Sequence, residues 1–163
     1  MNDMLENGRR AVATFAFGLL AALALSPAQA DAQITMEQAQ QAVDAAEAEA
    51  RANGWNLTIY VADAEGVPVY LRRMDGASAR TTDIVMRKVH VVITTGGTSA
   101  AYGAALAAGT VDSIPGGIHY EGGLPIIING QMVGAMAASG ARGSEDAQAV
   151  RAGFAAIGAD TMN

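Results

Sequence analysis

The chain contains no cysteine among its 163 residues. Disulfide bonds, cysteine-ligated zinc, iron–sulfur clusters and thioether-linked haem are therefore excluded for this sequence. Aromatic residues are also scarce, at 5%, and there are only two histidines. The core must consequently be built from Ala, Val, Ile, Leu and Met, and any imidazole chemistry must come from His90 or His119.

Charged residues are few as well, at 16% of the chain, and they sum to a net charge of −6. An acidic chain is a poor partner for nucleic acid, because phosphate binding needs a basic surface. Hydrophobic residues reach 51%, which favours a packed globule over a disordered chain. The length is sufficient for a single domain and short for two.

The first thirty residues have the pattern of a signal peptide. Two basic residues, Arg9 and Arg10, precede an apolar run over 11–25 and a small-x-small motif that ends at Ala30. The run is short for a membrane span, so cleavage after Ala30 is preferred to an uncleaved anchor. We therefore expect a signal peptide over 1–30 and a mature domain over 31–163 that is periplasmic or secreted, without stable membrane insertion.

Hydrophobic periodicity predicts helices and hairpins in alternation. An apolar stripe with a Thr35–Gln38 capping box indicates a first helix, in which the stripe consists of Met36, Ala39, Val43, Ala46 and Ala50. Alternation over 57–73, with a turn at 63–66, indicates a hairpin. Asn129-Gly130 between two apolar runs indicates a second hairpin with a type I′ turn, and Ser144 is expected to cap a last helix.

The segment 84–95 is ambiguous, because its β-branched residues suit a strand while its spacing also fits a helix. Its length favours a helix, and a second short helix is expected over 99–108. Hairpins require an antiparallel sheet and amphipathic helices require a surface to cover. The sequence therefore predicts a single-domain α+β protein with an antiparallel sheet flanked by helices.

An ordered set of short motifs resembles the GlcG/HbpS-like family, also described as haem-binding-protein-like or similar to the C-terminal domain of PduO-type proteins. The motifs span nearly the whole mature chain, and none is specific alone. They are Ile34-Thr35-Met36-Glu37-Gln38-Ala39, Val61-Ala62-Asp63-Ala64-Glu65-Gly66, Arg73-Met74-Asp75-Gly76-Ala77, Lys88, Pro115-Gly116-Gly117, Gly122-Gly123-Leu124-Pro125-Ile126, Gly130-Gln131-Met132-Val133-Gly134-Ala135, Ser139-Gly140 and Asp146.

The resemblance implies a profilin-like fold, a homo-oligomer and a small organic ligand, with haem bound by some relatives. The chain departs from the family where bulky residues, Val89 to Val92, follow Lys88, and where Met136-Ala137-Ala138 precedes Ser139-Gly140. The stretch around His119 is also individual. These departures fall where a ligand is expected, so the ligand of this chain need not be that of its relatives.

His119 is the strongest candidate for chemistry. It lies between two Gly-Gly pairs, beside Tyr120 and Glu121. A neutral imidazole ligates iron or moves a proton, and flanking glycines let backbone N–H groups approach an oxyanion. An exposed loop histidine without function is the alternative.

Other candidates are distributed along the chain. His90 is either an axial haem ligand or a buried histidine of the core, and the apolar helix favours the second. Arg73, Asp75 and Lys88 form a further set, in which the two basic residues suit a carboxylate. The alternative is surface pairing, of Arg73 with Asp75 or of Lys88 with Asp83. The glycine pairs are candidates for cradling a ligand: Gly116, Gly117, Gly122 and Gly123.

Two functions follow from these residues. The first is a protein that binds haem or a similar planar, carboxylate-bearing molecule, with His119 or His90 as the iron ligand. The second is a cofactor-independent lyase or isomerase for a small compound, aromatic or not, in which His119, Tyr120 or Glu121 moves a proton and Lys88 or the glycine amides stabilise negative charge. An oligomeric scaffold without a ligand is a third possible function.

The chain has no Gly-x-Ser-x-Gly, HExxH or EF-hand motif, which argues against hydrolases, zincins and calcium proteins.

Overall fold

A computed structural model of the protein describes residues 33–162, and the predicted signal peptide over 1–30 lies outside this range. Helices and strands follow one another in the order predicted from the sequence. They are α1 (Met36–Ala52), β1 (Thr58–Asp63), β2 (Pro68–Arg73), α2 (Thr81–Thr95), α3 (Ser99–Ala107), β3 (Gly123–Ile128), β4 (Gln131–Ser139) and α4 (Gly143–Ile157).

The four strands form one antiparallel sheet in the order β2-β1-β4-β3. The two hairpins lie side by side, and β1 pairs with β4 at the centre, with Thr58 opposite Ser139. Helices cover both faces of the sheet, so the predicted α+β architecture with a flanked antiparallel sheet is confirmed.

The two faces of the sheet have different cores. The larger core lies between the sheet and the helices α1 and α4, and includes Ile59, Met136 and Phe154. The smaller core lies under α2, where Tyr60 and Ala137 meet the helix. Because both faces are covered, β1 is buried at nearly every position and not only at alternate ones.

The ambiguous segment is helical, as its length predicted. On the sheet face that α2 covers, the side chains of β1 and β4 are mostly alanines, so the helix can lie close to the sheet. The residues that α2 packs on this face are β-branched: Val85, Val89 and Val92. Gly96 ends α2 with a φ of 68°, a left-handed conformation that favours glycine.

Turn and cap chemistry agrees with the sequence at most positions. Thr35 and Gln38 form the predicted capping box, with distances of 3.0 and 3.1 Å. The Asn129-Gly130 turn has φ angles of 53° and 77°, as a type I′ turn requires.

Two details of the predicted helices were wrong. Met36 is 62% exposed and lies outside the core, whose α1 residues begin at Ala39. The last helix begins one residue before Ser144, with Arg142 at the N-cap.

Within residues 33–162, no helix is both long and apolar enough to cross a membrane.

Candidate functional site

A cavity of about 980 Å³ opens where the first turns of α2 and α4 approach each other. The end of β4 and the loop before β3 complete its wall. Its lining residues are Gly54, Trp55, Asn56, Gly76, Ser78, Arg80, Thr81, Ile84, Lys88, His119, Tyr120, Glu121, Ser139, Gly140, Ala141, Arg142, Gly143, Glu145 and Asp146. This volume lies at the upper end of the range for small-molecule sites.

A buried ion pair forms one wall of the cavity. Lys88 Nζ donates to Asp146 Oδ2 at 2.9 Å and to the carbonyl oxygen of Ala138 at 2.8 Å. The second carboxylate oxygen of Asp146 accepts from the backbone N–H of Ala141 at 3.1 Å. The two side chains are only 1% and 4% exposed. The pair therefore joins α2, β4 and α4 around the cavity.

Burial and pairing act in opposite directions on these two groups. Burial lowers the pKa of Lys88, and the nearby charges of Asp146 and Glu121 oppose that effect. Burial likewise raises the pKa of Asp146, against the charge of Lys88. Desolvation is the larger cause in both cases, so each group depends on its partner to stay charged.

The glycine pair at 122–123 makes room for this ion pair. A methyl group on Gly122 would lie 2.7 Å from Asp146 Cβ and 2.8 Å from Lys88 Nζ, and one on Gly123 would lie 3.0 Å from Lys88 Cβ. Gly122 also has a φ of 112°, which L side chains rarely adopt. These glycines thus hold the lysine in place and do not themselves line the cavity.

The loop that carries His119, Tyr120 and Glu121 is fixed by α3. Ser99, which is fully buried, donates to the carbonyl oxygen of Tyr120 at 2.7 Å and accepts from the N–H of Gly123 at 3.0 Å. The rings of His119 and Tyr120 meet edge to face, with centroids 5.3 Å apart. Three adjacent side chains of different chemistry are therefore presented to one cavity by an anchored loop.

Positive charge and aromatic surface are also available in the cavity. Arg80 and Arg142 both line it, and within residues 33–162 neither has a carboxylate at salt-bridge distance. The N-terminal ends of two helices add partial positive charge to the same region. Trp55 and Ile84 supply apolar wall. Glu121 and Glu145 line the same cavity, so it carries both signs of charge, and its two arginines beside an apolar wall suit a flat molecule with carboxylate groups.

The structure brings together four of the predicted residues, His119, Tyr120, Glu121 and Lys88, at one cavity. Others lie elsewhere. Arg73 donates to the carbonyl oxygen of Ala77 at 2.6 Å and does not line the cavity. Asp75 is exposed in the turn after β2.

The glycine pair at 116–117 also lies away from the cavity. The carbonyl oxygen of Gly116 accepts from Arg87 Nε at 2.8 Å. Gly117 is packed so closely on Val91 that a methyl group there would lie 2.8 Å from that side chain. This pair therefore serves the packing of the loop on α2.

His90 is neither buried nor close to His119. It is exposed and lines a separate, smaller groove on α2. Lys88 and His90 are two residues apart on a helix, so their side chains leave it on nearly opposite sides. The favoured interpretation of His90 as a core residue was therefore wrong, and the two imidazoles do not share a site. Within residues 33–162, no cluster of three or more His, Asp or Glu side chains could hold a metal ion.

Sequence reasoning missed Arg80, Arg142 and Trp55 as cavity residues, and it treated Asp146 only as a family motif at the start of α4. No local pattern distinguishes these residues from ordinary surface or capping residues. Asp146 had the best signal, because it is an acidic residue in a first helical turn that also belongs to the ordered motif set.

The fold and the cavity define a small α+β domain with a ligand-sized site at one end of its two central strands. Residues 34–155 match the family model described as "Haem degrading protein HbpS-like", and the chain belongs to this family. No curated protein matches the sequence.

Solved structures give the same assignment. The chain is similar to HbpS, at 30% identity over 76% of this chain and 89% of that one, with a TM-score of 0.70. A double mutant of HbpS from Streptomyces reticuli is 28% identical over 91% and 97% of the two chains, also with a TM-score of 0.70. The Klebsiella pneumoniae protein ORFY, 24% identical over 82% and 97%, shares the fold with a TM-score of 0.74.

Proposed function

We propose that this protein binds haem, or a planar molecule of the same class with carboxylate groups, in the 980 Å³ cavity. The observation that carries the proposal is the presence of His119, Arg80 and Arg142 on the wall of one cavity. An imidazole is the commonest protein ligand of haem iron, and guanidinium groups bind carboxylates in bidentate fashion. The family description, which names haem degradation, supports this choice.

The residues present fit such a group. His119 would ligate the iron, Arg80 and Arg142 would hold the propionates, and Trp55 would contact the ring. When bound, haem supplies redox chemistry at its iron. The chain's own residues bind and orient it. Lys88 is unsuited to the propionates, because it already donates to Asp146 and Ala138 and is 1% exposed.

Titration with haemin tests the proposal, with the absorption spectrum as readout. The wild-type protein should give a saturable Soret shift that His119→Ala abolishes. His90→Ala is the matched control, since it removes the other histidine from a different surface and should bind like the wild type. Arg80→Ala with Arg142→Ala should weaken binding by about tenfold or more, because hydrogen bonds to charged groups contribute about 1.5–3 kcal/mol. Equal spectra for wild type and His119→Ala would contradict the proposal.

A second candidate is the cofactor-independent lyase or isomerase. It is favoured by the position of His119 and Glu121 on one cavity, next to the buried Lys88, whose pKa is lowered by burial. Perturbed ionisable groups in a cleft are typical of acid–base catalysis. The test is deuterium exchange into small aromatic ketones in D₂O, followed by NMR. Exchange by the wild type that is lost in Glu121→Gln would support this function, and exchange no faster than buffer would remove it.

We further propose that the protein acts outside the cytoplasm, after removal of residues 1–30. The support is the pattern of the sequence there, a basic start, an apolar run and Ala28-Gln29-Ala30. Expression of the full chain followed by mass spectrometry of the exported fraction should give a protein that starts at Asp31. An intact N-terminus on protein retained in the cytoplasm would contradict it.

We also propose a homo-oligomer. β2 is an edge strand, and Leu71 on it and Val67 just before it are 39% and 53% exposed. Exposed apolar edge strands favour pairing with another chain. Light scattering should show an oligomer that Leu71→Lys dissociates. A wild-type monomer at micromolar concentration would refute the proposal.

A further inference from the structure

A second, smaller depression lies on the opposite side of α2 from the main cavity. This groove has a volume of about 240 Å³ and runs between α2 and the turn of the first hairpin. His90 and Glu65 lie on it, and both are exposed. The haem proposal uses none of these residues, so the groove needs a separate explanation.

Tyr60 is the unusual residue in the groove. Its side chain is 3% exposed, yet within residues 33–162 its hydroxyl has no hydrogen-bond partner and is not sealed from solvent. Tyr102, the other buried tyrosine, is satisfied, because its hydroxyl accepts from the N–H of Ile114 at 2.8 Å. Because this hydroxyl is open to the groove and is not engaged by another of the described residues, it is free to donate a hydrogen bond to a molecule held there.

The groove is best suited to a neutral molecule. Met86, Val89 and Ile93 form apolar walls, and no lysine or arginine is among the lining residues. Glu65 repels a carboxylate. Burial, together with the charge of Asp63, raises the pKa of Tyr60, so its hydroxyl stays protonated and is available as a donor.

We propose that this groove binds a neutral single-ring aromatic compound with a hydroxyl group. The ring would lie between the apolar side chains of α2. Its hydroxyl would accept from Tyr60 and donate to Glu65 or His90. The volume is about a quarter of that of the main cavity, which restricts the ligand to about one ring. This site is independent of the proposed function at His119.

Phenol is the probe, and the two imidazoles are the reporters. In ¹H–¹³C NMR spectra, saturating phenol should shift the His90 ring signals and leave those of His119 unchanged. Tyr60→Phe should weaken phenol binding by about fivefold, the effect of one hydrogen bond. Tyr102→Phe is the matched control and should bind phenol like the wild type. Toluene, which lacks the hydroxyl, should bind wild type and Tyr60→Phe equally.

Several outcomes would overturn the proposal. They are phenol shifts at His119 alone, equal phenol affinity in wild type and Tyr60→Phe, or benzoate binding more tightly than phenol. Should Tyr60→Phe fail to fold, His90→Ala and Glu65→Gln replace it, because both side chains are exposed. Phenol binding that both variants leave unchanged would equally refute it. Loss of haemin binding in His119→Ala has no bearing on these results, so the two sites are tested separately.

Discussion

Replacing Lys88 with methionine tests whether the buried ion pair holds the cavity together. The change keeps most of the side-chain volume and removes the charge. Asp146 would then be a buried carboxylate with one remaining donor, the N–H of Ala141, and the carbonyl oxygen of Ala138 would lose its donor. Removing one partner of a buried pair costs about 3–5 kcal/mol, which is a large part of the stability of a small domain.

Urea unfolding followed by Trp55 fluorescence measures this loss, because Trp55 is the only tryptophan in the chain. With a slope of about 1–3 kcal/mol per molar urea, the midpoint should fall by about 2 M. Arg87→Met is the control on the same helix. Arg87 is 44% exposed, pairs with Asp83 at 3.5 Å and donates to the carbonyl oxygen of Gly116 at 2.8 Å, so its loss should cost about 1–2 kcal/mol, less than that of Lys88.

The pH dependence of Lys88→Met gives an independent check. Removing the lysine removes the main opposing charge, so the pKa of Asp146, already raised by burial, rises further. A raised native pKa means that the folded state binds the proton more tightly, so the deficit of the variant should shrink as the pH falls through that pKa.

A double variant, Lys88→Met with Asp146→Ala, separates the lost pair from the stranded charge. It should be more stable than Lys88→Met alone, because no uncompensated carboxylate remains buried. The reasoning is refuted if Lys88→Met costs no more than Arg87→Met, or if the double variant is as unstable as the sum of its single changes.

Three further changes test single contacts, one in a surface ion pair and two beside the cavity. Glu47→Gln should reduce the loss of stability on acidification from pH 7 to pH 3. The hydrogen bond from Arg72 lowers the pKa of Glu47, and the stability that this ion pair contributes is lost as the pH falls through the lowered pKa. Unfolding curves at both pH values measure the loss, and identical losses in wild type and variant would contradict the reasoning. Ser99→Ala should weaken haemin binding several-fold and broaden the NMR signals of the loop at 119–121, since the hydroxyl anchors that loop through the carbonyl oxygen of Tyr120 and the N–H of Gly123. Unchanged affinity would show that the loop is fixed by other contacts. Gly122→Ala should destabilise the fold by about 2–4 kcal/mol in urea unfolding, because its positive φ and its crowded surroundings both disfavour a methyl group. Gly130→Ala, at an exposed turn, is the control, and a smaller loss for Gly122→Ala than for this control would refute the prediction.

Local sequence patterns determined the order of helices and strands, the capping box at Thr35 and the Asn129-Gly130 turn, because each depends on residues close together in the chain. The ordered motifs indicated the family, and the loop at 119–121 was recognised as a candidate site from its glycine-flanked imidazole. The signal peptide and the cellular location remain predictions.

Only the tertiary structure decided which of these side chains meet. Lys88 and Asp146 are 58 residues apart, and the sheet order β2-β1-β4-β3 brings their helices together. The same topology places Arg80 and Arg142 on one cavity and turns His90 to another surface of α2. Contacts between distant elements depend on sheet order and on how helices pack over it, and no local pattern in the sequence carries that information.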